Sequence, residues 1–196
     1  MIVLQNIVST IAHFKPINVN ISIDSIVKIE GDNGTGKTSL IKILCGLSNN
    51  YTGLIKINGY DLKYNIEEFK SNIQAIFSQN GLYEDLNVEQ NISLWSKRWS
   101  GIDLTEAGIK IFGLEKYRHT KINKLSSGFK RKVALAKLIT CPCKIWIIDE
   151  ADSYLDSESL AILKDLILQR ISNSGIVFFT AHSNYLDDIK NNIISL

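Results

Sequence analysis

The stretch that most limits what this chain can fold into is Gly31-Asp32-Asn33-Gly34-Thr35-Gly36-Lys37-Thr38. It fits G-x-x-x-x-G-K-[ST] at every fixed position. Ile26, Val27 and Ile29 before it read as a strand over Ser25 to Glu30, and Leu40, Ile41, Ile43, Leu44 and Leu47 after Lys37 recur at helical spacing. A glycine loop between strand and helix can curl so that successive backbone N–H groups point inward, and the helix start adds the positive end of its dipole. Such a loop holds phosphate. Gly31, Asn33, Gly34, Thr35, Gly36, Lys37, Thr38 and Ser39 are the expected phosphate-binding residues. Lys37 would reach the β- and γ-phosphates of ATP, and the Thr38 hydroxyl is of the type that ligates Mg2+.

A second element follows much later, where the apolar run Ile145-Trp146-Ile147-Ile148 delivers two carboxylates, Asp149 and Glu150. Ligands of open α/β sheets bind at the C-terminal ends of the strands. Asp149 is expected to hold Mg2+ through water, and Glu150 to orient or deprotonate an attacking water. Together the two elements predict ATP binding and hydrolysis.

The rest of the chain agrees with an α/β fold. Ile2 to Ile7, Ile17 to Ile23 and Gly53 to Ile57 read as strands, and Leu82 to Leu138 as helices, with Leu94, Trp95, Ile109, Phe112, Leu114, Val133, Leu135 and Leu138 near helical spacing. A helix over about Ser157 to Ile171 and an apolar strand over Ile176 to Thr180 follow Glu150, the alternation of a parallel sheet. A length of 196 residues suits one compact unit. A net charge of +2 without a basic stripe excludes a dedicated nucleic-acid binder. No apolar run approaches the ~18 residues of a membrane span. The start, Met1-Ile2-Val3-Leu4-Gln5-Asn6, lacks export-signal character, so a cytoplasmic location is expected. Three cysteines cannot all pair, and Cys141-Pro142-Cys143 lacks zinc-site spacing; both read as thiols in a turn before a buried strand.

With these residues in place, the chain resembles the ATP-binding subunits of ABC transporters over essentially its whole length. Gln79 is similar to the family's Q-loop glutamine, Leu125-Ser126-Ser127-Gly128-Phe129 to its Leu-Ser-Gly-Gly-Gln signature, Leu155-Asp156 to its D-loop and His182 to its switch histidine. The resemblance implies a P-loop NTPase fold of the ABC ATPase type: a RecA-like core, an N-terminal antiparallel β subdomain and an inserted helical subdomain at about 82–138, all within one nucleotide-binding domain, 1–196. It implies that Gln79 and His182 sense the γ-phosphate, Gln79 also Mg2+, and that catalysis falls to Glu150, His182, Gln79 and Lys37. It further implies a homodimer closed head-to-tail, in which Ser126 and Gly128 meet the partner's nucleotide. Integral membrane subunits would carry the substrate, with this chain peripheral on the cytoplasmic side of the bacterial inner membrane.

Departures stand beside the matches: Phe129 replaces glutamine, Ser127 glycine, and Ala151 the proline that usually follows the catalytic glutamate. Slow or regulated hydrolysis is one expected consequence. His13 and Phe14 are the nearest candidates for an adenine-stacking aromatic, with Phe14 expected in the core; Trp95 and Trp99 read as core packing more than as a groove for a membrane subunit. Within the family, Arg131-Lys132-Val133-Ala134-Leu135-Ala136-Lys137, Trp146 and the ending Ile193-Ile194-Ser195-Leu196 are most similar to the heme exporter ATPases of cytochrome c maturation. Export of drugs, lipids or ions, and a hydrolysis-poor assembly module controlled by nucleotide, are the alternatives.

Overall fold

A computed structural model describes residues 1–12, 14–99, 102–189 and 192–196. They form two compact units. The first comprises Met1–Ala75, Cys143–Ala151 and Arg170–Leu196, and the second Ile76–Pro142 and Asp152–Gln169.

The first unit carries an antiparallel sheet built from β1 (Ile2–Ser9), β2 (Ile17–Ile21), β4 (Tyr51–Ile57) and β5 (Tyr60–Asp61), in the order β2-β1-β4-β5. β1 is bulged: its pairing with β2 slips between Leu4 and Ile7, and with β4 between Gln5 and Val8. Asn6 takes φ 50 at the bulge. Gly53 lies against it with φ 94, and a Cβ there would meet the Asn6 carbonyl oxygen at 2.3 Å, so only glycine fits. β2 stops at Ile21, short of the expected Ile23, because the chain turns through a left-handed Asp24 and leaves Ile23 about half exposed.

The parallel sheet has the order β6-β7-β8-β3-β9, with β3 (Ser25–Glu30), β6 (Ile73–Ile76, ending at the edge of this unit), β7 (Ile145–Ile148), β8 (Ile176–Phe179) and β9 (Asn192–Ser195). β7 and β8 are buried along their whole length, as continuous apolar runs between two covered faces must be. β6 and β9 have no counterpart in the sequence reading. β9 pairs parallel with β3, from Val27 opposite Asn192 to Glu30 opposite Ser195, so the chain's last residues complete the sheet. Trp146 is buried in β7 with the Arg170 guanidinium 4.5 Å from its ring centre. Helix α1 (Lys37–Leu44) ends before Leu47 because Gly46 takes a left-handed cap, φ 63. The Gly46 and Leu47 amides then donate to the carbonyls of Ile43 and Lys42, a Schellman closure that leaves Leu47 exposed.

The second unit holds helices α3 (Val88–Trp99), α4 (Thr105–Ile111), α5 (Ser127–Leu135) and α6 (Lys137–Thr140) and most of α7 (Ser157–Ser172); α2 (Ile66–Ser71) belongs to the first. Asn87 and Gln90 cap α3 reciprocally: each side-chain oxygen accepts the other's backbone N–H, at 2.8 and 3.0 Å. Ile109, Phe112, Leu114, Val133, Leu135 and Leu138 are buried, as their spacing predicts, whereas Trp95 is half-buried and Leu94 faces a surface cleft and is about half exposed. Cys45 is a free, buried cysteine, its thiol pushed up to about 12 by burial and by the Asp149 charge. Cys141 and Cys143 are disulfide-bonded, which corrects their reading as thiols; one intervening residue suffices to let them pair.

Candidate functional site: a phosphate cradle beside two carboxylates

The first unit gathers the phosphate loop, Asp149, Glu150 and His182 into one cleft of about 300 Å3. Gly34 and Gly36 adopt φ 86 and 106, conformations that a side chain would strain. A Cβ on Gly36 would also meet Ala12 at 2.7 Å and Phe14 at 3.2 Å. Phe14 is buried under the loop, in line with its core reading, and His13 lies outside the described residues. The loop closes on itself through the Thr35 hydroxyl, which donates to the Asp32 carbonyl at 2.9 Å. The Lys37 ammonium donates to the carbonyls of Gly31 (2.6 Å) and Asp32 (3.0 Å), which holds it over the loop that α1 follows.

Thr38, at the start of α1, donates its hydroxyl proton to Asp149 Oδ2 at 3.1 Å. The Thr38 hydroxyl beside this carboxylate suits Mg2+, which would take the hydroxyl directly and be held by Asp149 through one of its waters. Among the described residues no group of three or more His, Cys, Asp or Glu could hold a metal.

Asp149 is buried, and its other oxygen, Oδ1, accepts the Thr180 hydroxyl proton at 2.8 Å. The same hydroxyl accepts the Glu150 backbone N–H at 2.7 Å. Glu150 stands at φ 50, and its carboxylate oxygen lies 3.7 Å from His182 Nε2, both side chains reaching solvent. Thr180 was absent from the sequence-predicted site. A threonine closing an apolar strand is the signal, but only the neighbouring placement of β7 and β8 gives it meaning. Ala151 is explained too: its amide donates to the Thr180 carbonyl at 2.8 Å, a bond the family's usual proline cannot make.

The remaining predicted residues belong to the second unit. Gln79 sits in a tight turn, where Asn80 and Gly81 take φ 61 and 59 and the Gly81 amide donates to the Gln79 carbonyl at 2.7 Å. Two buried cations hold this turn. Arg131 donates to the Phe77 carbonyl and Asn80 Oδ1, and Lys137 donates to the carbonyls of Asn80 and Gly81. The Lys137 ammonium also lies 3.8 Å from the centre of the Trp95 ring, which makes Trp95 part of this packing; the Trp99 side chain is outside the described residues. Ser126 caps α5 by accepting the Phe129 amide at 3.4 Å and is exposed, as is Ser127. A Cβ on Gly128 would press on the Tyr154 carbonyl oxygen at 3.0 Å. Phe129 packs against Tyr117 with the rings tilted by 45° and their centres 4.1 Å apart, and it has the Lys132 ammonium 5.5 Å from its own ring centre. A larger cleft of about 710 Å3 lies on this unit, but its acidic lining, Glu89, Asp103 and Glu106, is unsuited to a nucleotide's phosphates.

A glycine-rich phosphate loop followed by a helix, with an Asp-Glu pair at the end of another strand of the same parallel sheet, defines a P-loop nucleoside triphosphatase. Comparison with known proteins narrows this class. The family model described as ABC transporter matches residues 14–153. The chain is 34% identical over 173 residues to the cytochrome c biogenesis ATP-binding export protein CcmA of Shewanella frigidimarina, covering 87% of this chain and 80% of that protein. It is 34% identical over 171 residues to the CcmA of Wolbachia pipientis wMel (87% and 83%), and 31% identical over 167 residues to that of Rickettsia conorii (85% and 85%). Among solved structures it is similar to a dimeric bacterial ABC transporter cassette, with TM-score 0.86, 22% identity and coverage of 100% and 94%. It is also similar to the ATP-binding subunit of an ABC transporter, with TM-score 0.85, 22% identity and coverage of 100% and 85%. The chain therefore belongs to the ABC transporter family as one of its ATP-binding ATPase subunits.

Proposed function

We propose that this chain hydrolyses ATP to drive the heme exporter that serves c-type cytochrome biogenesis. The observation that carries the reading is its similarity to CcmA export ATPases over four-fifths or more of both chains. The gathering of phosphate loop, Asp149, Glu150 and His182 in one cleft supports it.

In this reading the inward-facing amides of Gly34 to Thr38 receive the β- and γ-phosphates of ATP, and Lys37 exchanges the Gly31 and Asp32 carbonyls for them. Thr38 and Asp149 would hold Mg2+, which when bound neutralises charge on the phosphates. Glu150, at the cleft wall, orients the attacking water and takes up its proton, while His182 contacts the γ-phosphate. Gln79 senses the γ-phosphate and Mg2+. Ser126 and Gly128 close on the nucleotide of a second copy of the chain. The homodimer works on integral membrane subunits at the cytoplasmic face of the bacterial inner membrane; no described helix is long and apolar enough to cross a bilayer.

The test is Glu150→Gln. It should bind ATP as wild type does, lose at least ~100-fold in turnover, accumulate an ATP-bound dimer and, in the cell, abolish c-type cytochrome maturation. Normal turnover would remove Glu150 from the chemistry, and normal cytochromes beside lost turnover would remove heme export.

A further inference from the structure

Thr180 makes an unusual set of bonds. Its amide donates to the Ile148 carbonyl at 3.0 Å and its carbonyl accepts the Ala151 amide at 2.8 Å. Between these, its hydroxyl donates to Asp149 Oδ1 at 2.8 Å and accepts the Glu150 amide at 2.7 Å. One residue thus addresses four consecutive residues, Ile148 to Ala151, and it does so at 1% exposure, where water cannot substitute.

The hydroxyl inventory makes this arrangement directional. A threonine hydroxyl has one proton to give and lone pairs to receive. Here the proton goes to the carboxylate, and a lone pair takes the backbone N–H of the next residue. The carboxylate plane of Asp149 is fixed from both sides, by Thr180 on Oδ1 and Thr38 on Oδ2. Glu150 needs the second bond. A residue with a side chain seldom adopts φ 50, and such a conformation persists where surrounding bonds over-determine it. The Glu150 and Ala151 amides, both bound to Thr180, flank that torsion.

We propose that Thr180 is a positioning residue for ATP hydrolysis: its hydroxyl sets the carboxylate of Asp149 toward the metal and the backbone of Glu150 toward the attacking water. Coupling these two groups through one hydroxyl gives both a common reference. The proposal rests on the assignment of Asp149 and Glu150 above.

The experiment compares Thr180→Val, which keeps the shape and removes the hydroxyl, with Thr180→Ser, which keeps the hydroxyl and removes the methyl. ATP hydrolysis by the purified full chain is measured against ATP, and Mg2+ binding separately. Loss of a group that orients a metal ligand typically costs 10–100-fold. The valine variant should therefore lose on the order of 10–100-fold in kcat. Its KM for ATP should move less than ~3-fold, the signature of lost positioning rather than lost binding. Its affinity for Mg2+, titrated calorimetrically in the presence of a non-hydrolysable ATP analogue rather than read from turnover, should fall several-fold. The serine variant should stay within about 3-fold of wild type in all three. Should the valine variant fail to fold, Thr180→Cys carries the same expectation with a side chain that tolerates burial. Wild-type kcat and Mg2+ affinity in valine or cysteine, or a serine variant as slow as valine, overturns the proposal while Glu150→Gln remains inactive and the site assignment stands. Full turnover in Glu150→Gln overturns the site assignment itself, and the Thr180 proposal with it.

Discussion

Replacing Lys137 by methionine should remove a pH-dependent component of stability. Lys137 is 8% exposed, and its ammonium is held by the carbonyls of Asn80 and Gly81, at 3.0 and 2.9 Å, and by the Trp95 ring. All three acceptors are neutral, and burial lowers its pKa from the usual 10.5 to about 8. Between those values the unfolded chain binds a proton that the folded chain has released, so unfolding free energy rises with pH across that window. At ~1.36 kcal/mol per pKa unit, the full gain is on the order of 3 kcal/mol. Hydrogen bonds and the ring favour the ammonium and offset part of the burial cost, so this is an upper bound. About 2 kcal/mol of it should appear between pH 7 and about pH 9.5. Urea unfolding of wild type and Lys137→Met at several pH values in that interval gives the difference directly, because groups such as Cys45 titrate alike in both. The wild type should gain on the variant by about 2 kcal/mol as the pH is raised. A difference that stays flat would mean that the folded chain holds the Lys137 ammonium as well as water does, and one that shrinks that it holds it better; in either case the argument from burial would fail.

Phe129→Gln, which restores the family's signature residue, should cost about 1 kcal/mol by breaking the ring contact with Tyr117, a drop of a few degrees in melting temperature. It should also raise ATP turnover; unchanged turnover would show that Phe129 is no brake. Asp156 accepts the Ser159 amide at the start of α7 and pairs with Lys132 at 2.9 Å. Hydrogen bonding from Ser159 and then Lys132 holds its carboxyl well below the usual carboxylate range. Its contribution is therefore present above about pH 4 and lost as the pH falls further; Asp156→Ala should cost about 1 kcal/mol at neutral pH and nothing in strong acid, read by denaturation. Gly53→Ala should cost about 2 kcal/mol or more, from φ 94 and the Asn6 carbonyl, whereas Gly59→Ala, with φ 89 but open space around it, should cost only the torsional part; equal losses in the two melts would show that the bulge contact is immaterial.

What could be read from the sequence was what depends on neighbours along the chain. The phosphate loop follows from three glycines between a strand pattern and a helix pattern, and the apolar runs of β7 and β8 announce strands buried on both faces. Gly46 is a legible stop as well, a glycine placed to cap α1 before Leu47. β6 and β9, four residues each, are strands only because β7 and β3 offer them edges. Thr180 belongs with these. It lies 31 residues from Asp149, and nothing in the sequence pairs the two until β7 and β8 stand side by side. Phe129 reads in sequence as a defect of the signature; its contact with Tyr117 gives it a packing role instead.

The same dependence on context changes the meaning of the basic run Lys130-Arg131-Lys132. Successive residues of a helix point about 100° apart, so three adjacent cations on α5 cannot present one face. Each is committed to a different segment of the second unit: Lys130 to Glu84, Arg131 to Phe77 and Asn80, and Lys132 to Asp156. Lys137 adds a second hold on Asn80 and Gly81. The run is therefore internal wiring rather than a polyanion site, which accords with the chain's small net charge. The helix that begins at the signature serine thus grips the Gln79 turn on one side and the cap of α7 on the other. A displacement of α5 within this unit must carry those two segments with it or break charge-assisted bonds, and the signature, the glutamine turn and the Leu155-Asp156 segment should respond to nucleotide together rather than separately.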